Sequence, residues 1–179
     1  MDENFKKKTN SVLWLVKSNN LVVQNLIDEA KKYNINPKRL VFAEKISYAE
    51  HLARHKHADL FLDTFNYNAH TTASDALWCG LPIITKQGKQ FSARSTSSLL
   101  QACGLPELIT LNHNDYESLI LDYSHNQEKL KIVKNKLVNN LKNNTLFNTK
   151  LYTDHFEMAL KKVFKNYTDG ILPKDIYIN

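Results

Sequence analysis

The stretch "DLFLDTFNYNAHTTASDALWCGLPIITK" (residues 59–86) reads as a strand, a helix and a second strand in direct succession. The apolar run at residues 60–62 predicts a buried strand, and Gly80 is placed to end the helix before the second strand. Between the first strand and the helix lies an unusual polar segment, residues 66–72, which contains an imidazole and two hydroxyls. A plain connection needs only a few small polar residues, so we predict that this segment holds a ligand.

The same alternation extends in both directions along the chain. Short apolar runs predict strands, and the first of them, "SVLWLV", is typical of a strand buried on both faces. Segments with helical spacing lie between the runs, and Ser47 with Glu50 predicts a capping box at the start of one of them. The predicted strands are residues 11–16, 39–44, 59–64, 81–86 and 107–111, and the predicted helices are residues 20–35, 47–58, 70–80 and 92–104. This order predicts an α/β fold, a Rossmann-like parallel sheet with right-handed crossovers and helices on both faces.

The character of the sequence changes near residue 115, where amphipathic helical patterns continue without further strands. We therefore divide the chain into a Rossmann-like core at residues 10–112, C-terminal helices that pack on it at residues 113–168, and a tail at residues 169–179. The sequence contains only four glycines and four prolines, and has neither internal repeats nor a low-complexity linker, so we expect one compact unit.

Composition excludes a membrane-spanning protein. The 179 residues are 42% hydrophobic, enough for a core, but no run approaches the roughly 18 apolar residues that a membrane span needs. The N-terminal residues 1–16 lack the pattern of a secretory signal. Cys79 and Cys103 form no spacing motif and are expected to be buried thiols of a cytoplasmic protein.

The formal charge of +6 comes from 21 lysines and only three arginines. Asparagine is also abundant, with 20 residues, as expected of an AT-rich coding sequence. Aromatic residues do not alternate with arginines as they do in proteins that stack and pair bases. We therefore interpret the lysines as solvated surface and predict no nucleic-acid partner.

Ligands of open parallel sheets bind beyond the carboxyl ends of the strands. The loops at residues 45–51, 64–75 and 86–94 are therefore the candidate binding loops. His70, Thr71 and Thr72 fall at a helix start, where free N–H groups and the positive end of the helix dipole favour an anion. Asp75 lies one turn further on and is placed to meet sugar hydroxyls of the same ligand. The alternative is that Thr71 or Thr72 merely caps the helix and that His70 fills a turn.

The segment "EHLARHKHA" carries a second polar cluster. His51 and His55 are four residues apart, the spacing of a helical metal pair, but no carboxylate or cysteine completes a metal set. His51 and Arg54 share a helix face and are placed to flank a planar base, whereas the alternative is a solvated helix surface. The Gly-rich loops of dinucleotide-binding and P-loop enzymes are absent, as are a serine elbow and a Cys-His pair.

The stretch from "EHLARHKHADLFLDTFNYNAHTTASDALWCG" to "LPELI", with "NSVLWLV" before it and "LFNTKLYT" after it, resembles the C-terminal catalytic lobe of the protein O-GlcNAc transferase family, glycosyltransferase family 41. The resemblance covers residues from about 10 to 155, with "NAHTTASDALWCGLP" as its most specific part. It is strongest to bacterial members whose catalytic lobes follow tetratricopeptide repeats. It implies one lobe of a two-lobed GT-B enzyme, the half that binds most of the UDP-sugar.

The resemblance also implies roles for seven positions. His51 and Arg54 would hold the uracil, by stacking and by fixing the base respectively. His70, Thr71 and Thr72 would hold the diphosphate, and Asp75 would accept hydrogen bonds from the ribose. Tyr48 stands where animal members of the family have a lysine beside the uracil, which leaves the base selectivity open.

The catalytic groups implied by the resemblance are not among these residues, because a lysine that neutralises the diphosphate and a histidine of the other lobe would precede residue 1. We therefore expect an N-terminal catalytic lobe and tetratricopeptide repeats, in cis or in trans. The implied reaction is transfer of GlcNAc or a related hexose from UDP to a protein side chain, without a metal or other cofactor, because helix N–H groups and cationic side chains take the developing charge. The alternatives are a stand-alone or vestigial nucleotide-sugar-binding module without turnover, and a structural docking partner.

Overall fold

A computed structural model describes residues 10–178 of the chain. Residues 1–9, part of the segment predicted to carry no secretory signal, lie outside this described part, as does residue 179 of the predicted tail. Strands and helices alternate as predicted through the first two thirds of the chain. The strands are β1 (Leu13–Val16), β2 (Leu40–Ala43), β3 (Phe61–Leu62), β4 (Ile83–Lys86) and β5 (Ile109–Thr110). The helices are α1 (Asn20–Lys32), α2 (Tyr48–Arg54), α3 (Thr71–Trp78), α4 (Ser95–Ala102), α5 (His113–His125), α6 (Gln127–Leu141) and α7 (Thr149–Thr168).

Within residues 10–178 every strand pair is parallel, which confirms the predicted α/β class. The strands form two hydrogen-bonded ladders, β1 with β2 and β3-β4-β5 in that order. Leu13 faces Leu40 in the first ladder, and Phe61 faces Ile83 in the second. Parallel neighbours place the carboxyl ends of their strands, and hence the loops after them, at one edge.

The larger core lies around β4, which α3, α4, α5 and α6 surround. Its fully buried members include Leu77, Ile83, Ile84, Leu100 and Leu137. Burying one such side chain contributes about 1.5–3 kcal/mol, so this cluster holds the second ladder and its helices in place. The smaller core around Ala30, which includes Ile35 and Leu40, stabilises the first ladder.

The prediction that the first strand is buried on both faces is wrong. Val16 is 58% exposed and Val41 of the paired strand is 41% exposed, because the three buried residues of the smaller core cover only one side of this ladder. The apolar run at residues 60–62 also forms only a two-residue strand, and Leu62 is 40% exposed. Short apolar runs do not by themselves tell how many faces of a strand are covered.

Several local predictions are confirmed at the helix ends. Ser47 and Glu50 form the capping box at the start of α2, with both reciprocal hydrogen bonds present. Gly80 follows α3 with a φ of 77°, a left-handed conformation that glycine adopts without a steric cost. Cys103 is buried as expected, whereas Cys79 is only partly buried.

The C-terminal helices differ in how they pack. Helix α5 buries Tyr116 and Tyr123, and α6 buries Leu130, Val133 and Leu137. Helix α7 has no buried residue among those the structure describes. No helix within residues 10–178 combines the length and apolar composition that crossing a membrane requires.

Candidate functional site

The polar segment after β3 is built around the carboxylate of Asp63, which is only 3% exposed. One carboxylate oxygen accepts hydrogen bonds from the backbone N–H groups of Thr64 at 2.9 Å and Ala69 at 2.7 Å. The other accepts the hydroxyl proton of Thr85 on β4 at 2.6 Å. The phenol of Tyr116 on α5 donates to the Asp63 carbonyl at 2.9 Å. Asp63 therefore ties both ends of the loop to the neighbouring strand and helix.

The same loop is held from the side of α4. The buried side chain of Asn68 donates to the carbonyl of Thr64 at 2.7 Å, and the Asn68 N–H donates to the carbonyl of Ser92 at 2.8 Å. The Thr96 hydroxyl donates to the carbonyl of Ala69 at 2.9 Å. These five hydrogen bonds are among those that fix residues 64–69, directly before the helix that follows.

Helix α3 begins without a side-chain cap. His70 occupies the N-cap position but its side chain makes no capping hydrogen bond, so the alternative in which Thr71 or Thr72 caps the helix is wrong. Thr71 and Thr72 are both exposed, and neither hydroxyl bonds to a residue within 10–178. The first backbone N–H groups of α3 and two hydroxyls are therefore available to an anion, on the positive side of the helix dipole.

The imidazole of His70 is held by three neighbours. The Tyr67 ring stacks on it, with the ring centroids 4.9 Å apart and an interplanar angle of 15°. The Phe91 ring meets the His70 ring edge-on, with the centroids 6.2 Å apart. Nε2 of His70 lies 3.1 Å from the Ser95 hydroxyl of α4. These contacts orient the ring beside the uncapped helix end, where it can donate to a bound oxygen.

Asp75, one turn into α3, is bound by Tyr48. The Tyr48 phenol donates to Oδ1 of Asp75 at 2.7 Å, and this hydrogen bond is the main reason that the pKa of Tyr48 is raised. The other carboxylate oxygen has no partner among the described residues, so it remains available to a ligand hydroxyl. The bond joins α2 to α3 and hence the polar cluster on α2 to the helix start.

His51 and Arg54 on α2 also meet, as their spacing predicts. Nη2 of Arg54 lies 2.8 Å from Nδ1 of His51, and Nε of Arg54 lies 3.2 Å from the same atom. The third nitrogen, Nη1, donates to the Glu44 carbonyl at 3.0 Å, and the guanidinium lies 5.5 Å from the centre of the Trp14 ring. Arg54 is therefore turned inward against β1 and the end of β2.

The electrostatic surroundings of His51 favour its neutral form. Partial burial lowers the pKa of His51, and His55 and Arg54 lower it further, while Asp75 acts in the opposite direction. The His55 ring packs edge-on against His51 with the centroids 4.7 Å apart. An uncharged imidazole offers a flat face to a base together with one N–H donor.

The structure thus joins the predicted site residues in two groups, Tyr48 with Asp75 and His51 with Arg54. Among residues 10–178, no hydrogen bond or ring contact links either group to His70. No three His, Cys, Asp or Glu side chains of that range come together as metal ligands. A surface groove of about 560 Å³ lies along β5 and α5 and contains none of the site residues. The candidate residues lie instead on α2 and at the start of α3.

Sequence reasoning missed the residues that hold the loop. Asp63 follows a strand directly, which is the position of many site residues in parallel sheets and is a signal that was available. Tyr67 lies only three residues before His70, whereas Ser95 contacts His70 through the fold alone, since it is 25 residues away in the sequence. Nothing in the local pattern indicates that contact.

Comparison with known proteins gives a consistent family match. A family model described as glycosyl transferase family 41 matches residues 3–156. The UDP-N-acetylglucosamine–peptide N-acetylglucosaminyltransferase of Caenorhabditis elegans is 30% identical over 161 residues, which are 90% of this chain and 14% of that protein. The probable UDP-N-acetylglucosamine–peptide N-acetylglucosaminyltransferase SEC of Arabidopsis thaliana is 28% identical over 170 residues, 94% of this chain and 17% of that protein.

Among solved structures, a mutant of the Thermobaculum terrenum O-GlcNAc transferase superposes with a TM-score of 0.85 and 23% sequence identity. The superposition covers 92% of this chain and 32% of that one, and it shows the same fold. The chain spans about a seventh to a sixth of the length of the two curated relatives.

Proposed function

This chain belongs to glycosyltransferase family 41, and we propose that it is the donor-binding lobe of a UDP-sugar-dependent protein glycosyltransferase. In the complete enzyme, GlcNAc or a related hexose passes from UDP to a side chain of an acceptor protein. The observation that carries the proposal is the uncapped start of α3, where exposed Thr71 and Thr72 adjoin a fixed His70 and, one turn on, Asp75. The names of the relatives, which are N-acetylglucosaminyltransferases acting on peptides, support it.

The diphosphate binds at the start of α3. Backbone N–H groups of a helix end and two threonine hydroxyls supply donors for phosphate oxygens, and the helix dipole adds a favourable field. His70 adds a further donor when its ring carries a proton on the nitrogen that faces the ligand. The same donors stabilise the charge that develops on UDP as the sugar leaves.

The nucleoside binds towards α2. The free Oδ2 of Asp75 accepts a hydrogen bond from a ribose hydroxyl, while Tyr48 holds the carboxylate from behind. His51 stacks on the uracil with its neutral ring. Tyr48, bound to Asp75, acts on the ribose rather than as a direct ligand of the base.

Donor binding and transfer proceed without a metal ion in this proposal. The helix N–H groups and side-chain donors take the role that a divalent cation has elsewhere, and no three potential metal ligands converge within residues 10–178. The remaining catalytic groups, the tetratricopeptide repeats and the wall that positions the acceptor come from an N-terminal part, in cis or in trans.

The direct test is calorimetric titration of the chain with UDP, with and without a chelator of divalent cations. We expect the same affinity in both titrations. Binding that requires magnesium would contradict the metal-free proposal, and no binding of UDP by the folded chain would contradict the donor-binding role itself.

A second titration tests where the phosphates lie. Thr72→Val removes one hydroxyl at the helix start and leaves the side-chain volume nearly unchanged. We expect a loss of about 1.5–3 kcal/mol for UDP, the usual value of a hydrogen bond to a charged group, and little change for uridine. Equal losses of affinity for UDP and uridine would contradict the placement of the diphosphate at this helix end.

A further inference from the structure

Arg54 lies against His51 in a way that decides the chemical state of the histidine ring. Two guanidinium nitrogens of Arg54 converge on one ring atom, Nδ1 of His51, at 2.8 Å and 3.2 Å. The remaining terminal nitrogen is fixed by the Glu44 carbonyl, and the guanidinium plane is supported by Trp14. The Glu44 carbonyl and Trp14 therefore hold the guanidinium in place. Its other two nitrogens, which form a fork of N–H donors, face a single acceptor.

Arginine stays protonated in proteins and all of its side-chain nitrogens are donors. A ring nitrogen that faces two such donors can only accept, so Nδ1 of His51 carries no proton. The proton of the neutral ring is then on Nε2, since one ring nitrogen of a neutral imidazole is always protonated. If Nδ1 were protonated, it would become a third donor facing the two guanidinium N–H donors. This arrangement disfavours the imidazolium.

We propose that Arg54 is a positioning residue that locks His51 as the neutral imidazole with its proton on Nε2. The proposal rests on the donor-binding function described above and gives Arg54 a task that it performs before any ligand binds. Arg54 orients the ring, and His51 presents a flat face on which a base can stack. The Nε2–H lies in the plane of the ring, so it can donate to a ligand oxygen beside the stacked base.

The neighbouring histidine has the opposite arrangement and supplies an internal reference. Nδ1 of His55 lies 2.8 Å from the carbonyl oxygen of His51. A carbonyl only accepts, so this Nδ1 carries a proton. Two rings in edge-on contact, 4.7 Å apart, are thus expected to carry their protons on different nitrogens, and only His51 depends on Arg54.

The test is nitrogen–proton correlation spectroscopy of the imidazole rings in the ligand-free 179-residue chain, at about pH 7.5, above the ordinary pKa of histidine. We expect His51 to show an unprotonated Nδ1 and a protonated Nε2, and His55 to show a protonated Nδ1. In Arg54→Met, His51 should become a mixture of the two tautomers while His55 is unchanged.

Two further variants separate the fork from its charge. Lys56→Met removes an exposed cation close to α2 and should leave the His51 signals as they are. Arg54→Lys keeps the charge without the fork and should restore the tautomer only in part. A protonated Nδ1 on His51 in the original chain, or an unchanged tautomer in Arg54→Met, would overturn the proposal.

Ligand titration supplies the functional arm. We expect Arg54→Met to weaken UDP and uridine by the same factor, about three- to tenfold, as for the loss of one ordinary hydrogen-bonding contact, since His51 faces the base. A loss confined to UDP would show that Arg54 serves the phosphates instead and would overturn the proposal. If the original chain binds neither ligand, the donor-binding function fails, while the ring spectra still decide the tautomer.

Discussion

Asp75 is the residue in which the two helices of the site meet. One of its oxygens is bound by Tyr48 at 2.7 Å, and the other has no hydrogen-bond partner among residues 10–178. A carboxylate fixed at one oxygen loses little additional freedom when the other binds a ligand, which favours affinity. We therefore expect Tyr48 to position the Asp75 carboxylate for the ligand without itself touching the base.

Replacing Asp75 should separate a ligand-binding carboxylate from a merely exposed one. We expect Asp75→Ala to weaken UDP and uridine alike by about 1.5–3 kcal/mol, roughly ten- to a hundredfold, because both ligands contain the ribose. Tyr48→Phe should weaken both affinities several-fold, since it removes only the hydrogen bond that supports the Asp75 carboxylate. Titration calorimetry measures both changes.

Asp59→Ala is the matched control for Asp75, since Asp59 is an exposed carboxylate whose partner is Lys134. Its removal should leave both affinities unchanged. An unchanged affinity in Asp75→Ala, with the fold intact by thermal unfolding, would refute the ribose assignment.

The lowered pKa of His51 predicts a pH dependence of stability. The unfolded chain takes up a proton near the ordinary value of 6.5, whereas folded His51 does so only at a lower pH. Between those two values the unfolded state binds more protons, so the free energy of unfolding falls as the pH decreases. Urea unfolding at about pH 7.5 and about pH 5 should show a smaller decrease for His51→Asn than for the original chain. Equal decreases in both proteins would contradict this assignment.

At the scale of elements, the loop between β3 and α3 sets the helix start. Asp63 binds both ends of this loop and the strand beside it, and α4 holds it through Thr96. A helix end can bind a diphosphate tightly only if its N–H groups are already in place. The buried carboxylate under the loop supplies that order.

We therefore expect Asp63→Ala to weaken UDP much more than uridine, because the loop positions the phosphate donors. The free energy of unfolding should also fall by about 3 kcal/mol, since three donors lose a charged acceptor. Asp63→Asn keeps an acceptor for the loop N–H groups and should restore part of the UDP affinity. Calorimetry with both ligands and urea unfolding measure these effects.

Thr110→Val is the control for a purely structural loss. The Thr110 hydroxyl donates to the Thr85 carbonyl at 3.0 Å, one strand away from the loop. Its removal should lower the stability without changing the ratio of UDP to uridine affinity. A similar change of that ratio in Thr110→Val and Asp63→Ala would mean that Asp63 acts only through general stability.

At the scale of the whole molecule, the proposed function makes this site one wall of a cleft whose other wall belongs to another part of the enzyme. The groups that the structure assembles lie on α2 and at the start of α3, and the chain covers 32% of the superposed transferase. Transfer between a sugar donor and a protein needs both reactants held in a fixed geometry. We therefore expect donor binding and turnover to be separable in this chain.

We expect the 179-residue chain alone to bind UDP but to transfer no measurable sugar from UDP-GlcNAc to acceptor peptides. Activity should return when an N-terminal catalytic lobe of the same family precedes it in one polypeptide. Mass spectrometry of the peptides, with Asp75→Ala in the fused protein as the inactive control, measures the transfer. Robust turnover by the 179 residues alone would contradict the assignment of the remaining catalytic groups to another part.

The sequence by itself determined the order of strands and helices, the capping box at Ser47 and the positions of His70, Thr71, Thr72 and Asp75, because periodicity, caps and helix starts are set by residues close together in the chain. It did not determine that only one side of the first ladder is covered, nor that Asp63 holds the loop. Those features depend on which distant residues meet, as Tyr116 meets Asp63 across 53 positions. The state of His51 was likewise decided by the tertiary structure. The spacing of Arg54 allows the contact, but only Trp14 and the Glu44 carbonyl turn the guanidinium towards Nδ1.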